Sequence, residues 1–193
     1  MWVPLAQLRN YGKLIGQMSN PTIKTRIDLA KHFEQLGFKV GAEIGVAEGT
    51  YALELCKAIP GLKYYGVDTW PVGGRHLIRA RYKLAKNTLA PYDATLIRKT
   101  SMEAVKDFEK ASLDFVYIDA THYFDDVVKD IIEWTKKVKK GGIVSGHDYR
   151  AAGGVCGVID AVNGFVHAHS YSLNLTTDSS ETISWWFNKR WNT

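Results

Sequence analysis

The chain has 193 residues and a formal net charge of +5, with 46% hydrophobic and 23% charged residues. This length suits one α/β domain with a sizeable core, and the composition is that of a globular protein. No apolar run approaches the roughly 20 residues of a membrane helix, and residues 1–12 lack the apolar block of a signal peptide. Cys56 and Cys156 are too few for a disulfide framework. We therefore expect a cytoplasmic protein without a membrane partner.

Helix and strand patterns alternate along the chain. Ser19-Asn20-Pro21 is a typical helix start, because proline follows a capping side chain, and Gly37 ends that helix. Strands are predicted over residues 39–44, 62–67, 94–97 and 113–118, with a fifth from Ile143, and helices over 51–59, 77–89, 102–108 and 124–138. Gly141-Gly142 is expected to end the last of these helices. This alternation predicts a mostly parallel sheet covered on both faces.

The end of the chain has a different pattern. Residues 155–168 predict a helix, and residues 171–176 and 182–187 alternate like strands around the polar turn 177–180. Two consecutive strands with so short a link must be antiparallel. We predict one domain over residues 1–193, with a helical segment over 1–37 and a core over 38–188. Its fold class is α/β, a Rossmann-like three-layer sandwich whose seven-stranded, mostly parallel sheet has an antiparallel last strand.

The loop after the first strand reads Glu43-Ile44-Gly45-Val46-Ala47-Glu48-Gly49. Ligands bind beyond the carboxyl ends of such strands, and glycines there allow tight turns and close approach. The spacing differs from the G-x-G-x-x-G of dinucleotide-binding proteins, because the last glycine comes one position early. The two carboxylates would repel a pyrophosphate and attract an ammonium or a sulfonium group. The alternative is a plain strand-to-helix turn.

An acid also ends the second strand. Asp68 lies where a carboxylate can accept both ribose hydroxyls of a nucleoside, and Trp70 could lie against an adenine ring. Asp68 could instead be a loop acid, and Trp70 a core residue.

Together, these features resemble the class I methyltransferase family over residues 38–188. The resemblance implies S-adenosylmethionine as cofactor, with Glu43 near the amino end of its methionine, Asp68 at its ribose, and Ser101 and Met102 beside its adenine. The residues assigned to the cofactor are Glu43, Gly45, Ala47, Gly49, Asp68, Thr69, Trp70, Ser101, Met102 and Asp119. Ala47 stands where many members have glycine.

A second group of polar residues follows two later strands. Asp119 and His122 close the fourth strand, and His147 and Asp148 close the fifth. Because neighbouring parallel strands end at the same edge, these side chains could converge. Carboxylates and imidazoles can bind Mg²⁺, Mn²⁺ or a softer divalent ion. A hydroxyl nucleophile needs its proton removed or its pKa lowered, which a base or a metal can do. The alternative is that the histidines shape the pocket through ordinary hydrogen bonds.

This part of the chain is similar to small methyltransferases with I-D-x-x-H-x-Y and G-G-x-x-x-x-H-D-Y elements. Some of these relatives methylate sugar or catechol hydroxyls with a metal. The resemblance implies Asp119, His147 and Asp148 as metal ligands, His122 as the base, and Asp119, His122 and His147 as the catalytic residues. His147 stands where some sugar-methylating relatives have an acid.

The resulting hypothesis is metal-assisted O-methylation of a small hydroxylated acceptor such as a sugar. One alternative is a nucleic-acid methyltransferase, which only the +5 charge favours. Another is a non-catalytic nucleoside-binding module, and the glycine spacing disfavours a nicotinamide enzyme. The acceptor pocket would come from residues 1–20, 71–89 and 150–157, or from a second copy of the chain in a homo-oligomer.

Overall fold

The computed structural model describes residues 23–70, 76–149, 157–178 and 183–191. The helices are α1 (Arg26–Gln35), α2 (Thr50–Ala58), α3 (His76–Leu89), α4 (Ser101–Ala104), α5 (Phe124–Thr135) and α6 (Val158–Ala168). The strands are β1 (Val40–Ile44), β2 (Lys63–Asp68), β3 (Ala94–Arg98), β4 (Leu113–Ile118), β5 (Val138–Gly146), β6 (Asn174–Leu175) and β7 (Trp185–Asn188). Within these ranges, no helix has the length and apolarity needed to cross a membrane.

All seven strands form one sheet in the order β3-β2-β1-β4-β5-β7-β6. The pairings among β1 to β5 are parallel, and β7 is antiparallel to both β5 and β6. The predicted fold class is confirmed, including the antiparallel strand at the end of the chain. This order brings the carboxyl ends of β1, β2, β3 and β4 to one edge, which is where the polar loops lie.

Alternation along β4 divides the core into two layers. Phe115 and Tyr117 pack on the face that also buries Phe33 of α1 and Leu55 of α2. Val116 and Ile118 point to the opposite face and pack with residues of α5 and α6, such as Ile131 and Val162. Helices therefore cover both faces of the sheet, because each strand has apolar side chains on both sides.

The first described helix begins at a capping box. The Thr25 hydroxyl accepts from the Asp28 N–H at 3.1 Å, and the Asp28 carboxylate accepts from the Thr25 N–H at 3.1 Å. These bonds satisfy two backbone donors that the helix cannot pair itself. The predicted start at Ser19-Asn20-Pro21 lies outside the described residues.

The boundary between α5 and β5 differs from the prediction. The helix ends at Thr135 and the strand begins at Val138, so Gly141-Gly142 lies inside β5 and does not end the helix. Val138 pairs with Leu113, and the register shifts before the next pair. Gly141 has φ +83°, and a Cβ on Gly142 would lie 2.3 Å from the Asp114 carbonyl oxygen. The two glycines thus allow an irregularity within the strand.

The closing strands are shorter than predicted. Only residues 174–175 form β6, and β7 inserts between β5 and β6. The predicted antiparallel pairing is confirmed by the partners Asn174 with Trp186 and Leu175 with Trp185. Residues 155–156 and 179–182, which the predictions included, lie outside the described residues.

Candidate active site

A cavity of about 760 Å³ opens at the carboxyl ends of β1 to β4. This volume lies within the range of small-molecule sites. Its lining residues from the strand ends include Glu43, Gly45, Ala47, Asp68, Thr69, Ser101, Met102, Asp119 and His122. The structure thus brings most of the predicted cofactor residues to one cavity. The exposed Glu48 also lines it, with its carboxylate 3.4 Å from Nε of Arg81.

The loop between β1 and α2 turns in the left-handed region three times. Gly45, Ala47 and Gly49 have φ values of +95°, +51° and +86°. Gly45 also lies against the end of β4, because a Cβ there would be 2.0 Å from the Asp119 carbonyl oxygen. Only glycine combines an easy positive φ with room for this close approach. Gly45 therefore lets the loop pass directly beside the end of β4.

Replacing Gly45 with alanine tests this close approach. We expect the free energy of unfolding to fall by about 3 kcal/mol, since backbone strain adds to a steric clash. Gly61→Ala is the matched control, because Gly61 has φ +74° and a Cβ added there would have nothing within 4 Å. The control should lose about 1 kcal/mol, and urea denaturation measures both. Equal losses in the two variants would contradict the clash.

Asp68 fixes the conformation of this loop. Its Oδ2 accepts from the N–H groups of Val46 at 3.1 Å and Ala47 at 2.9 Å, and its Oδ1 accepts from the Trp70 N–H at 3.0 Å. A carboxylate has about four acceptor positions, so one remains for a ligand. The sequence predicted the ribose contact and missed these loop contacts, because they depend on the turn geometry.

The structure corrects the expectation for Trp70. Its side chain is 2% exposed and does not line the cavity. The indole Nε1 donates to the Ala47 carbonyl at 2.7 Å, and the ring packs 5.1 Å from the ring of Tyr82. Trp70 therefore braces the loop and cannot lie against an adenine ring in this arrangement.

Glu43 is a buried acid at the floor of the cavity. Its side chain is 2% exposed, and its carboxylate accepts a short hydrogen bond from the Tyr64 hydroxyl. Burial raises the pKa of Glu43 to about 8, although the bond from Tyr64 opposes that rise. Nearby Arg26 also opposes the rise, yet at a pKa of about 8 the carboxyl is mostly protonated at neutral pH. A bound ammonium group would favour its ionised form.

The raised pKa of Glu43 predicts a pH-dependent stability. Between pKa values of 4.5 unfolded and about 8 folded, the native state holds a proton that the unfolded state has lost. Stability should therefore fall as pH rises through this window. Glu43→Gln has no titrating group at this position. The free energy of unfolding of the variant minus that of wild type should therefore increase by up to about 4 kcal/mol from about pH 5 to pH 9. Urea denaturation across this range measures the difference, and parallel profiles for the two proteins would contradict the assignment.

The four predicted residues beyond β4 and β5 lie close together. The His122 Nε2 is 2.8 Å from the Asp148 Oδ2. The His147 Nδ1 is 3.5 Å from the Asp148 Oδ2 and 3.8 Å from the Asp119 Oδ1. Asp148 is buried with φ +56°, a conformation that aspartate tolerates better than most residues. Burial and the neighbouring Asp148 raise the pKa of Asp119 to about 6, and His147 opposes that rise.

Asp119, His122 and Asp148 form a possible metal site in this structure. Ligand atoms of Asp119, His122 and Asp148 all lie within 4.8 Å of one another. His147 is held by its backbone, because its N–H donates to the Ile118 carbonyl and its own carbonyl accepts from Nε1 of Trp185. The sequence predicts His147 as the ligand and His122 as the base, and His147 also lies beside both carboxylates. The turn at Asp148 brings its carboxylate closer to His122.

The β3 end of the cavity contains an acid that the sequence analysis missed. Ser101 and Met102 line this end, and the Ser101 hydroxyl donates to Asp130 of α5. The same hydroxyl accepts from Nε1 of Trp134 at 2.8 Å. Burial raises the pKa of Asp130 to about 6. A single acid on an amphipathic helix has no distinctive spacing, so the sequence offered no signal for it.

Structural neighbours share the architecture. A proposed caffeoyl-CoA O-methyltransferase from Staphylococcus aureus has a TM-score of 0.66 at 16% identity, covering 97% of this chain and 93% of that one. The O-methyltransferase from Bacillus cereus in complex with SAH has a TM-score of 0.62 at 12% identity, covering 95% and 88% of the two chains. At such identities, the likeness shows the fold.

Sequence comparison gives the family. An uncharacterized protein of Sinorhizobium fredii is 30% identical over 116 residues, which are 55% of this chain and only 12% of that protein. The family model described as a methyltransferase domain matches residues 42–149, more than half of the chain. This match runs from Ala42 within β1 to Tyr149 and therefore includes both halves of the site. The chain belongs to the methyltransferase domain family, as the sequence analysis predicted.

Proposed function

We propose that this protein is a cytoplasmic enzyme that transfers the methyl group of S-adenosylmethionine to a hydroxyl of a small acceptor such as a sugar. The observation that carries the proposal is the cavity, which joins Glu43, Asp68 and Ser101 at one end of the sheet to Asp119 and His122. The family match and the Bacillus cereus neighbour with SAH support the choice of cofactor.

The residues suit a cationic nucleoside that has no phosphates. The methionine ammonium would lie by Glu43, whose ionised form it favours. Arg26 also lines the cavity and offers a positive charge for the methionine carboxylate. Asp68 has acceptor capacity left for the ribose, and Ser101 and Met102 border the adenine. The proposed cofactor cavity is therefore lined by acids and small residues. A pyrophosphate site would instead need groups that attract negative charge.

The acceptor side is formed by Asp119, His122 and Asp148. In the transfer, the acceptor oxygen attacks the methyl carbon in line with the sulfur. The carbon–sulfur bond breaks with its electron pair remaining on sulfur, and a carbon–oxygen bond forms. His122 takes the hydroxyl proton, and Asp148, 2.8 Å from its Nε2, holds the ring and stabilises the charge that develops.

The same three residues form a donor set for a divalent metal. Two carboxylates and one imidazole fit Mn²⁺ or a softer ion better than Mg²⁺, which prefers oxygen ligands. When bound, such an ion would lower the pKa of the acceptor hydroxyl. His122 would then be a metal ligand together with Asp119 and Asp148, and the lowered pKa of the hydroxyl would replace proton removal by His122.

A methyl-transfer assay tests this proposal. Purified protein would be incubated with S-adenosylmethionine labelled on its methyl group and with panels of catechols, free sugars and sugar nucleotides. We expect label to enter at least one hydroxylated acceptor and none to enter RNA or DNA. Label in nucleic acid alone would contradict the acceptor class. In parallel reactions with EDTA, loss of turnover that Mn²⁺ restores would support the metal, and unchanged turnover would exclude its role.

A further inference from the structure

Asp130 is a buried acid in the wall of the proposed cofactor cavity. It lies on α5, is 4% exposed, and lines the cavity together with Ser101 and Met102. Asp130 belongs neither to the possible metal site of Asp119, His122 and Asp148 nor to the loop after β1. A buried carboxylate needs hydrogen-bond donors for both of its oxygens, and one that lines a cavity can take a donor from a bound ligand.

The hydrogen bonds around Ser101 have a fixed direction. An indole N–H can only donate, so Nε1 of Trp134 donates to the Ser101 hydroxyl at 2.8 Å. The single hydroxyl proton of Ser101 is then given to Oδ1 of Asp130. Ser101 consequently has no proton left for a ligand. The donor that sequence reasoning placed beside the adenine is already used within the protein.

The second oxygen of Asp130 remains as an acceptor. Among the described residues, no hydrogen bond to Oδ2 of Asp130 is present, whereas Oδ1 is held by Ser101. Trp134 and Ser101 therefore hold the carboxyl in place and leave Oδ2 for a donor in the cavity. The neighbouring Lys129 also lines this wall, but it is exposed.

We propose that Asp130 selects adenine at this end of the cavity by accepting a hydrogen bond from its exocyclic amino group. This inference rests on the proposed function, since it takes the ligand to be S-adenosylmethionine or its product. Adenine presents an amino donor at its six-position, and hypoxanthine presents a carbonyl there. An acceptor held in a buried wall pairs with the first and leaves the second unpaired, which is the arrangement that gives strong discrimination.

The test compares two nucleosides that differ at the six-position and at the adjacent N1, which carries a proton in hypoxanthine. Isothermal titration would measure the affinities of wild type and variants for S-adenosylhomocysteine and S-inosylhomocysteine. We expect wild type to prefer the adenine compound by about 30-fold, a factor in the range of one well-placed buried hydrogen bond. Asp130→Ala should reduce this preference to within about 3-fold, and Asp130→Asn, whose amide can also donate, should reduce or reverse it.

Asp125→Asn is the matched control, because Asp125 is an exposed acid of the same helix that does not line the cavity. It should keep the wild-type preference. If Asp130 only tethered α4 to α5, its loss would weaken both nucleosides equally, and an unchanged ratio in Asp130→Ala would overturn the inference. A wild-type protein that binds neither compound would instead contradict the proposed function itself. Circular dichroism and thermal melting of each variant confirm that the fold is retained.

Discussion

Asp68→Ala is expected to lower the affinity for S-adenosylhomocysteine by at least about 100-fold, the equivalent of losing one or two hydrogen bonds to a charged group. The substitution removes the proposed ribose acceptor. It also leaves the N–H groups of Val46, Ala47 and Trp70 without their carboxylate partner, so the loop loses the contacts that set its shape. Isothermal titration with the product measures the loss directly.

Two further variants help to interpret the loss of affinity in Asp68→Ala. Asp68→Asn keeps one carbonyl acceptor and the side-chain volume, so its loss should be smaller than that of alanine. Asp93→Ala removes an exposed acid that precedes β3 and should bind like wild type. An Asp68→Ala protein that binds S-adenosylhomocysteine within about 3-fold of wild type would contradict the role of Asp68.

Asp148→Asn is expected to lower methyl transfer by about 1,000-fold, within the range for loss of acid–base assistance. Asparagine tolerates the left-handed backbone of Asp148, φ +56°, so the turn should survive while the charge is lost. His122 would then lose the carboxylate that holds its ring, and a metal would lose one of its ligands. The loss is measured as the initial rate of methyl transfer to the hydroxylated acceptor that the methyl-transfer assay identifies.

The affinity for S-adenosylhomocysteine should change by less than about 3-fold in Asp148→Asn, because Asp148 does not line the main cavity. His122→Gln should reproduce the loss of rate. Asp160→Ala is the control, since it removes an exposed acid at the start of α6. Turnover of Asp148→Asn near the wild-type rate would show that the acid and its histidine have no part in the chemistry.

Much of the fold could be predicted because it depends on periodic patterns. The apolar run of β4 and the alternation of strands with helices indicate a parallel sheet covered on both faces. The order of those strands then brings Glu43, Asp68, Ser101 and Asp119 to one edge. For the same reason, the cavity could be located from the loops that follow the strands.

The errors occur where single backbone conformations decide the structure. Gly141-Gly142 resembles a helix stop in the sequence, yet its missing side chains accommodate the shift of register beside β4. Trp70 follows an acid at a strand end, but the left-handed turn there directs its ring into the core. The partner of His122 likewise depends on the φ of Asp148, which no spacing encodes.

Asp130 illustrates a different limit. Its helix shows the ordinary amphipathic pattern, and the acid becomes distinctive only when α5 packs beside the start of α4 and Ser101 meets it. Such a contact joins residues 29 positions apart through tertiary packing. Periodicity places the helix against the sheet and cannot say which of its polar residues faces the cavity.

We propose that the cavity binds a cationic nucleoside without phosphates. Isothermal titration of the same protein with S-adenosylmethionine and with NAD⁺ distinguishes this ligand from a dinucleotide. The acids at Glu43 and Asp68 and the absence of a G-x-G-x-x-G spacing predict one-to-one binding of S-adenosylmethionine and no binding of NAD⁺. Heat with NAD⁺ and none with S-adenosylmethionine would show that the cavity is a dinucleotide site.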